Sequence, residues 1–117
     1  SMATTANIKR KKNEIKRLED LIEKRRQEIT EIENERIENE KTMVQETLNN
    51  RRVERNQLLR DTDHHALADG TMSNEIKNYR ISLRDWTNDL KTPLTDESIK
   101  DQVKRIMDKT FPTKPSE

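Results

Sequence analysis

Cysteine is absent from this chain of 117 residues, glycine occurs once and proline three times, and Phe, Trp and Tyr occur once each. The missing cysteine excludes disulfides and thiolate metal sites. So few aromatic and apolar residues, 28% hydrophobic in all, exclude an independent globular core of any size. No apolar run approaches the ~20 residues needed to cross a bilayer, so no membrane partner is expected. Phosphate-cradling glycine loops are missing as well. No nucleophile stands beside a plausible base, so neither an enzyme nor a bound cofactor is expected.

What the chain has in abundance is charge. Asp, Glu, Lys and Arg make up 40% of it, yet the net charge is only +1. That balance gives no global field for nucleic acid or anionic membrane. The charge is blocky: Lys9, Arg10, Lys11, Lys12, Lys16 and Arg17 open the chain. Glu31, Glu33, Glu35, Glu38, Glu40 and Glu46 follow, then Arg51, Arg52, Arg55 and Arg60.

Between Ala3 and Asp69 neither proline nor glycine occurs, for the only glycine is Gly70 and the first proline Pro93. Glu, Lys, Arg, Gln and Ile fill the stretch, residues that tolerate or favour helix. One long helix over residues 7–60 is expected, on the order of 80 Å long. Residues 1–6 read as a tag remnant and frayed start, with Ser1-Met2 as an expression scar.

Ile8, Ile15, Ile22 and Ile29 recur every seven residues as a positions of a heptad, with Leu18 and Ile32 at two matching d positions and Lys11 and Arg25 at the others. This is a coiled-coil seam. Arg36 falls where the next a residue belongs, and the apolar series resumes one place late at Ile37 and Val44, a slip that redirects the supercoil. The chain is therefore expected to pair with itself as a dimer or trimer. Neither strand number nor orientation follows from the repeat, and antiparallel pairing, which brings the basic start towards the acidic middle, stays open. A zipper-type DNA binder would need a basic helix ahead of its seam. Here the Ile repeat runs through the basic residues, so nucleic acid is not an expected partner.

Asp61-Thr62-Asp63-His64-His65 carries turn chemistry and should break the rod. The adjacent histidines point in different directions on a helix, and no further His or Cys completes a metal site. A polar corner is the expected role. Ser73 or Asn74 then caps a second helix with Ile76, Tyr79, Leu83, Trp86 and Leu90 along one face, running towards Pro93. Arg80 and Arg84, with Asp85 adjacent, are expected to pair with Asp61, Asp63 or Asp69 and lock the corner. The alternative is a carboxylate-binding patch for a client. Thr95-Asp96-Glu97 should start a third helix with Ile99, Val103 and Ile106 on one face and Met107 beside it. The two helices are expected to pack as an antiparallel pair near Leu58 and Leu59. Residues 61–110 would form this module and 111–117 an extended tail. The Tyr79–Trp86 stripe is candidate core or candidate docking surface.

The order Arg55-Asn56-x-Leu58-Leu59-x-x-Thr62-Asp63, Leu67-x-Asp69, Met72-Ser73, Tyr79-Arg80-x-x-Leu83-Arg84-Asp85 and Phe111-Pro112-x-Lys114-Pro115 resembles the tail assembly chaperone module of tailed bacteriophages, which is similar to the end of tail-fibre assembly proteins. The resemblance covers residues 52–115. His64 and Phe111 stand where that family usually has Trp, and the stretch from Asp85 to the closing prolines is longer than usual. The resemblance implies a non-enzymatic assembly factor, with Tyr79, Arg80, Leu83, Arg84, Asp85 and Trp86 docking on a tail or tail-fibre protein. It would act in the host cytoplasm during assembly or in the virion tail. The alternative is a structural coiled-coil spacer, or a tail-fibre or baseplate component, without chaperone activity.

Overall fold

The fold is all-α, with no strand among the described residues, which in this computed structural model are 1–67 and 72–116. Four helices follow in order: α1 (Met2–Arg60), α2 (His64–Leu67), α3 (Asn74–Asp85) and α4 (Ile99–Asp108). The chain divides into two compact units, Ser1–Asn39 and Glu40–Glu117.

The first unit is helix throughout. It begins at Met2 instead of fraying to residue 7, because Ser1 supplies a cap: its Oγ accepts from the Thr4 amide at 3.3 Å and its carbonyl from the Thr5 amide at 3.1 Å. Ion pairs along its surface, Lys16–Asp20 at 3.9 Å and Arg25–Glu28 at 2.8 Å, have the i,i+4 and i,i+3 spacings. Each contributes about 0.2–0.5 kcal/mol.

In the second unit the end of α1, α3 and α4 surround one core. Leu48, Trp86, Leu90 and Ile106 are buried together, with Val44 and Phe111 packed against them. Ile76, Tyr79 and Leu83 are buried along α3. On α1, Leu48 joins the buried cluster, while α3 meets the expected Leu58–Leu59 end, where both residues are half-buried and the Leu59 carbonyl accepts from Arg80.

Both later helices are shorter than their sequence patterns suggest. The α3 helix, capped by Ser73 through a 3.2 Å bond from the Ile76 amide, ends at Asp85 and does not reach Leu90. The chain continues through turns with i→i+3 bonds, from the Trp86 amide to the Leu83 carbonyl at 3.3 Å and from the Leu90 amide to the Thr87 carbonyl at 3.0 Å. Thr87, Asn88 and Asp89 are weak helix formers, and cations from α1 and α4 take the carbonyls that a helix would use. Trp86 and Leu90 are buried all the same.

The α4 helix starts at Ile99, four residues after the expected Thr95. Asp96 has φ 61°, a left-handed conformation that Asp tolerates better than most residues but that no α-helix contains. Ser98 caps instead, accepting from the Asp101 amide at 3.1 Å.

Residues 111–116 lack regular secondary structure, yet they are not a free tail: Phe111 packs on the core, and Pro112 and Pro115 are half-buried.

Candidate interaction surfaces

Two surfaces carry the sequence expectations, one in each unit. In the first, the seam residues lie open: Ile8, Ile15, Leu18, Ile22, Ile29 and Ile32 are each 50–67% exposed, as are Leu21 and Ile37 at slightly lower values. A row of isoleucines in water on one helical face is a surface awaiting a partner. Val44, the last seam candidate, is already used inside its own chain against the cluster of Leu48, Trp86, Leu90 and Ile106.

The second unit is fastened by cations that reach across to backbone carbonyls. Arg80, its side chain 11% exposed, sends Nη1 to the Leu59 carbonyl at 2.7 Å and to Thr62 Oγ1 at 2.6 Å, and pairs through Nη2 with Asp63 Oδ1 at 2.8 Å. It closes the C-terminal end of α1, where the last carbonyls lack intrahelical donors and the helix dipole favours positive charge. Arg55 does the same for α3 in return, bonding the Leu83 and Arg84 carbonyls at 3.2 Å each. This reciprocal pair forms the expected corner lock with Asp63. Asp61 instead accepts from Gln57 Nε2 at 3.0 Å, and Asp69 lies outside the described residues. Arg84, the other expected partner, is exposed and makes no such contact among the described residues.

The link between α3 and α4 is held in the same manner. Arg105 grips Glu97 with Nε and Nη2, both at 2.9 Å, and donates to the Asp89 carbonyl at 2.6 Å and the Thr92 carbonyl at 3.1 Å. That fork matches carboxylate geometry, and it holds the Glu97 carboxyl below its ordinary range. Lys109 Nζ bonds Asp89 Oδ1 at 2.8 Å and the Trp86 carbonyl at 2.5 Å. The Lys109 bond likewise lowers Asp89. Gln102, fully buried, donates to the Leu90 carbonyl at 3.3 Å.

Around Trp86 these contacts become an aromatic–cation stack. The Trp86 and Phe111 rings lie 4.3 Å apart at 29°, and Trp86 Nε1 donates to the Thr110 carbonyl at 2.9 Å. The Arg51 guanidinium sits 5.0 Å from the Trp86 centroid and 4.5 Å from that of Phe111, while Lys109 Nζ lies 5.0 Å from Trp86. Arg51 also donates to the Lys109 carbonyl and pairs with Glu54 at 2.8 Å. Its Nε is buried without a hydrogen-bond partner among the described residues; the ring faces supply the compensating attraction.

Tyr79, Leu83 and Trp86, candidates for either docking or core, are therefore core, at 5%, 0% and 4% exposure. Burial raises the Tyr79 phenol above its ordinary value, against an opposing effect of Lys114, with Asp61 adding to the rise. Arg84 and Asp85 alone of the six docking candidates stand exposed. The His64 and His65 rings lie against one another, tilted at 36° with centroids 4.1 Å apart. No group of three or more His, Cys, Asp or Glu able to hold a metal occurs among the described residues. Likewise, no helix among them is long and apolar enough to cross a membrane.

Sequence reasoning passed over Arg51, Gln102, Arg105 and Lys109. The available signal was spacing. Arg51 with Arg55, and Arg105 with Lys109, stand at i,i+4 and so share a helix face.

No protein-family model matches the chain, and neither a curated protein nor a solved structure matches it at a significant level.

Proposed function

We propose that the protein is a non-enzymatic bacteriophage tail or tail-fibre assembly factor that works through protein–protein contacts, with the coiled-coil seam setting its oligomeric state. One observation carries this reading. The residues that carry the resemblance interlock: Arg80 bonds Leu59, Thr62 and Asp63, Arg55 bonds the carbonyls of Leu83 and Arg84, and Phe111 stacks near Trp86. Their joint order along the chain thus has a physical reason as the wiring of a small folded module. With Tyr79, Leu83 and Trp86 spent on the core, a tail protein would be met by the exposed Arg84–Asp85 edge. A dimer or trimer of the chain would present several such edges at once.

The test is co-production with the tail-fibre protein of the phage that carries the chain. A higher soluble yield of fibre, lost in an Arg84→Glu, Asp85→Arg variant that still folds, is the expected result. An unchanged yield removes the chaperone reading.

A second reading, a structural coiled-coil spacer or virion component, draws support from the open isoleucine row of residues 8–32, since a permanent seam needs such a row. Purified virions separate the two: a spacer stays in the particle in fixed proportion, whereas an assembly factor is absent.

A further inference from the structure

The first unit offers a seam that lies open among the described residues, and the charges flanking that seam choose among the ways of covering it. In the heptad that begins at Ile8, the flanking e residues are Lys12, Glu19, Arg26 and Glu33, and the g residues include Glu14, Glu28 and Glu35. In a parallel, in-register dimer each g residue faces the following e residue of the other helix. Glu14 then meets Glu19, and Glu28 meets Glu33, each twice by symmetry. The polar seam positions Lys11 and Arg25 would also stack on their own copies. That arrangement places like charges together at every charged pairing within the seam.

An antiparallel arrangement sets e against e and a against d. With Ile15 across from Ile32 of the second copy, and Ile29 across from Leu18, Lys12 faces Glu33 and Glu19 faces Arg26. Both pairs are attractive, and both occur twice. Arg25 then lies against Ile22, where its stem covers apolar surface, while its guanidinium already pairs along its own helix with Glu28 at 2.8 Å. Glu14 faces Glu35 and Lys11 faces Arg36 as like pairs at each end of the overlap, of opposite sign and within one turn of each other, so each offsets the other. Sliding the second copy by a heptad in one direction brings Lys12 to Arg26 and Glu14 to Glu28. Sliding it in the other direction brings Glu19 to Glu33 and Arg26 to its own copy. The favoured register overlaps residues 8–39 and so spends the first unit, Ser1–Asn39, as a whole.

We propose that a second copy of this chain docks antiparallel on the seam of the first unit, crossing between Glu23 and Lys24. The proposal rests on the self-association reading above and adds partner, direction and register to it.

The chain has no cysteine of its own, so single-cysteine variants of the full chain report the geometry directly. Ile15→Cys and Ile32→Cys are oxidised separately and as a mixture, with mass in solution measured on the unmodified chain. In the antiparallel dimer two copies of residue 15 lie about 25 Å apart, far beyond disulfide reach. The expected result is a mixed disulfide in the mixture and none from either variant alone. Disulfides in each variant alone overturn the proposal in favour of a parallel seam, while self-association stands. A monomeric mass at all concentrations overturns self-association as well.

A surface substitution supplies an independent readout that does not touch the seam. Glu19→Lys places two cations together in the antiparallel dimer and weakens it about three- to ten-fold, and adding Arg26→Glu restores it. In a parallel dimer Glu19→Lys relieves the clash with Glu14, so tighter association overturns the proposal.

Discussion

The two units draw on the same few aliphatic residue types and put them to opposite use. In residues 1–39 Ile8, Ile15, Ile22 and Ile29 are each half exposed or more, whereas from residue 40 onward Leu48, Ile76, Leu83, Leu90 and Ile106 are at 0–3%. Helix does not depend on that difference. The α1 helix is built in both units, first over residues with no burial and then over residues that line a core. In the first unit propensity and side-chain pairs make the helix, and tertiary contact has yet to be found. In the second, the helix is one wall of a packed module. A long rod therefore says little about where a protein is stable; the burial of its apolar face says more.

The sharpest break in this comparison is Trp86→Ala. Loss of a buried aromatic typically costs about 3–5 kcal/mol, and here it also removes the ring under Arg51 and Lys109. The expected outcome is loss of protease resistance in residues 40–117, with the helix of residues 1–39 still present by circular dichroism. Ile15→Asn with Ile22→Asn should do the reverse. Removing two apolar seam residues at about 1.5–3 kcal/mol each should reduce the mass in solution to a monomer while the Trp86 near-ultraviolet signal is kept.

Arg80→Met is expected to be milder, about 1.5–3 kcal/mol, because it strips a charged donor from the Leu59 carbonyl and Thr62 Oγ1. The Asp63 partner is 55% exposed and adds little. Chemical denaturation followed by Trp86 fluorescence would measure it.

Acid should give the smallest effect. Glu97 and Asp89 are held below their ordinary values, Glu97 by Arg105 and Asp89 by Lys109. Depressed folded values favour folding above the ordinary carboxylate range, and that contribution is lost as pH falls through them. Melting temperature should be level near neutrality and decline below about pH 4.5, with a shallower decline in Glu97→Gln; an equal decline would remove the Arg105 fork as its source.

Much of the fold was legible in the sequence. The breaker-free stretch announced α1, and Ser73 with the Ile76–Tyr79–Leu83 spacing announced α3. The helix ends were misread for two physical reasons. The burial stripe continues through Trp86 and Leu90 after the helix itself has stopped, since turns can bury side chains as well as helices do. At α4 a capping serine competed with Thr95-Asp96-Glu97, and the backbone at Asp96 decided for Ser98. The corner lock was half legible: opposite charges drew attention to Arg80 and Asp63. Arg51, Arg55, Arg105 and Lys109 each reach at least one backbone carbonyl, a contact that leaves no trace in a pattern of side chains.

Those carbonyl contacts make the module's wiring one-sided. A bond between two side chains constrains two positions, because both identities must be kept. A bond from Arg55 to the Leu83 and Arg84 carbonyls, from Lys109 to that of Trp86, or from Arg105 to those of Asp89 and Thr92 constrains only the donor. The accepting residue supplies the same oxygen whatever its side chain. An exposed acceptor such as Thr92 can therefore change type without unfastening the module, while a few long basic side chains cannot. Two chains could share this fastening and agree at little more than their cations and their buried apolar positions.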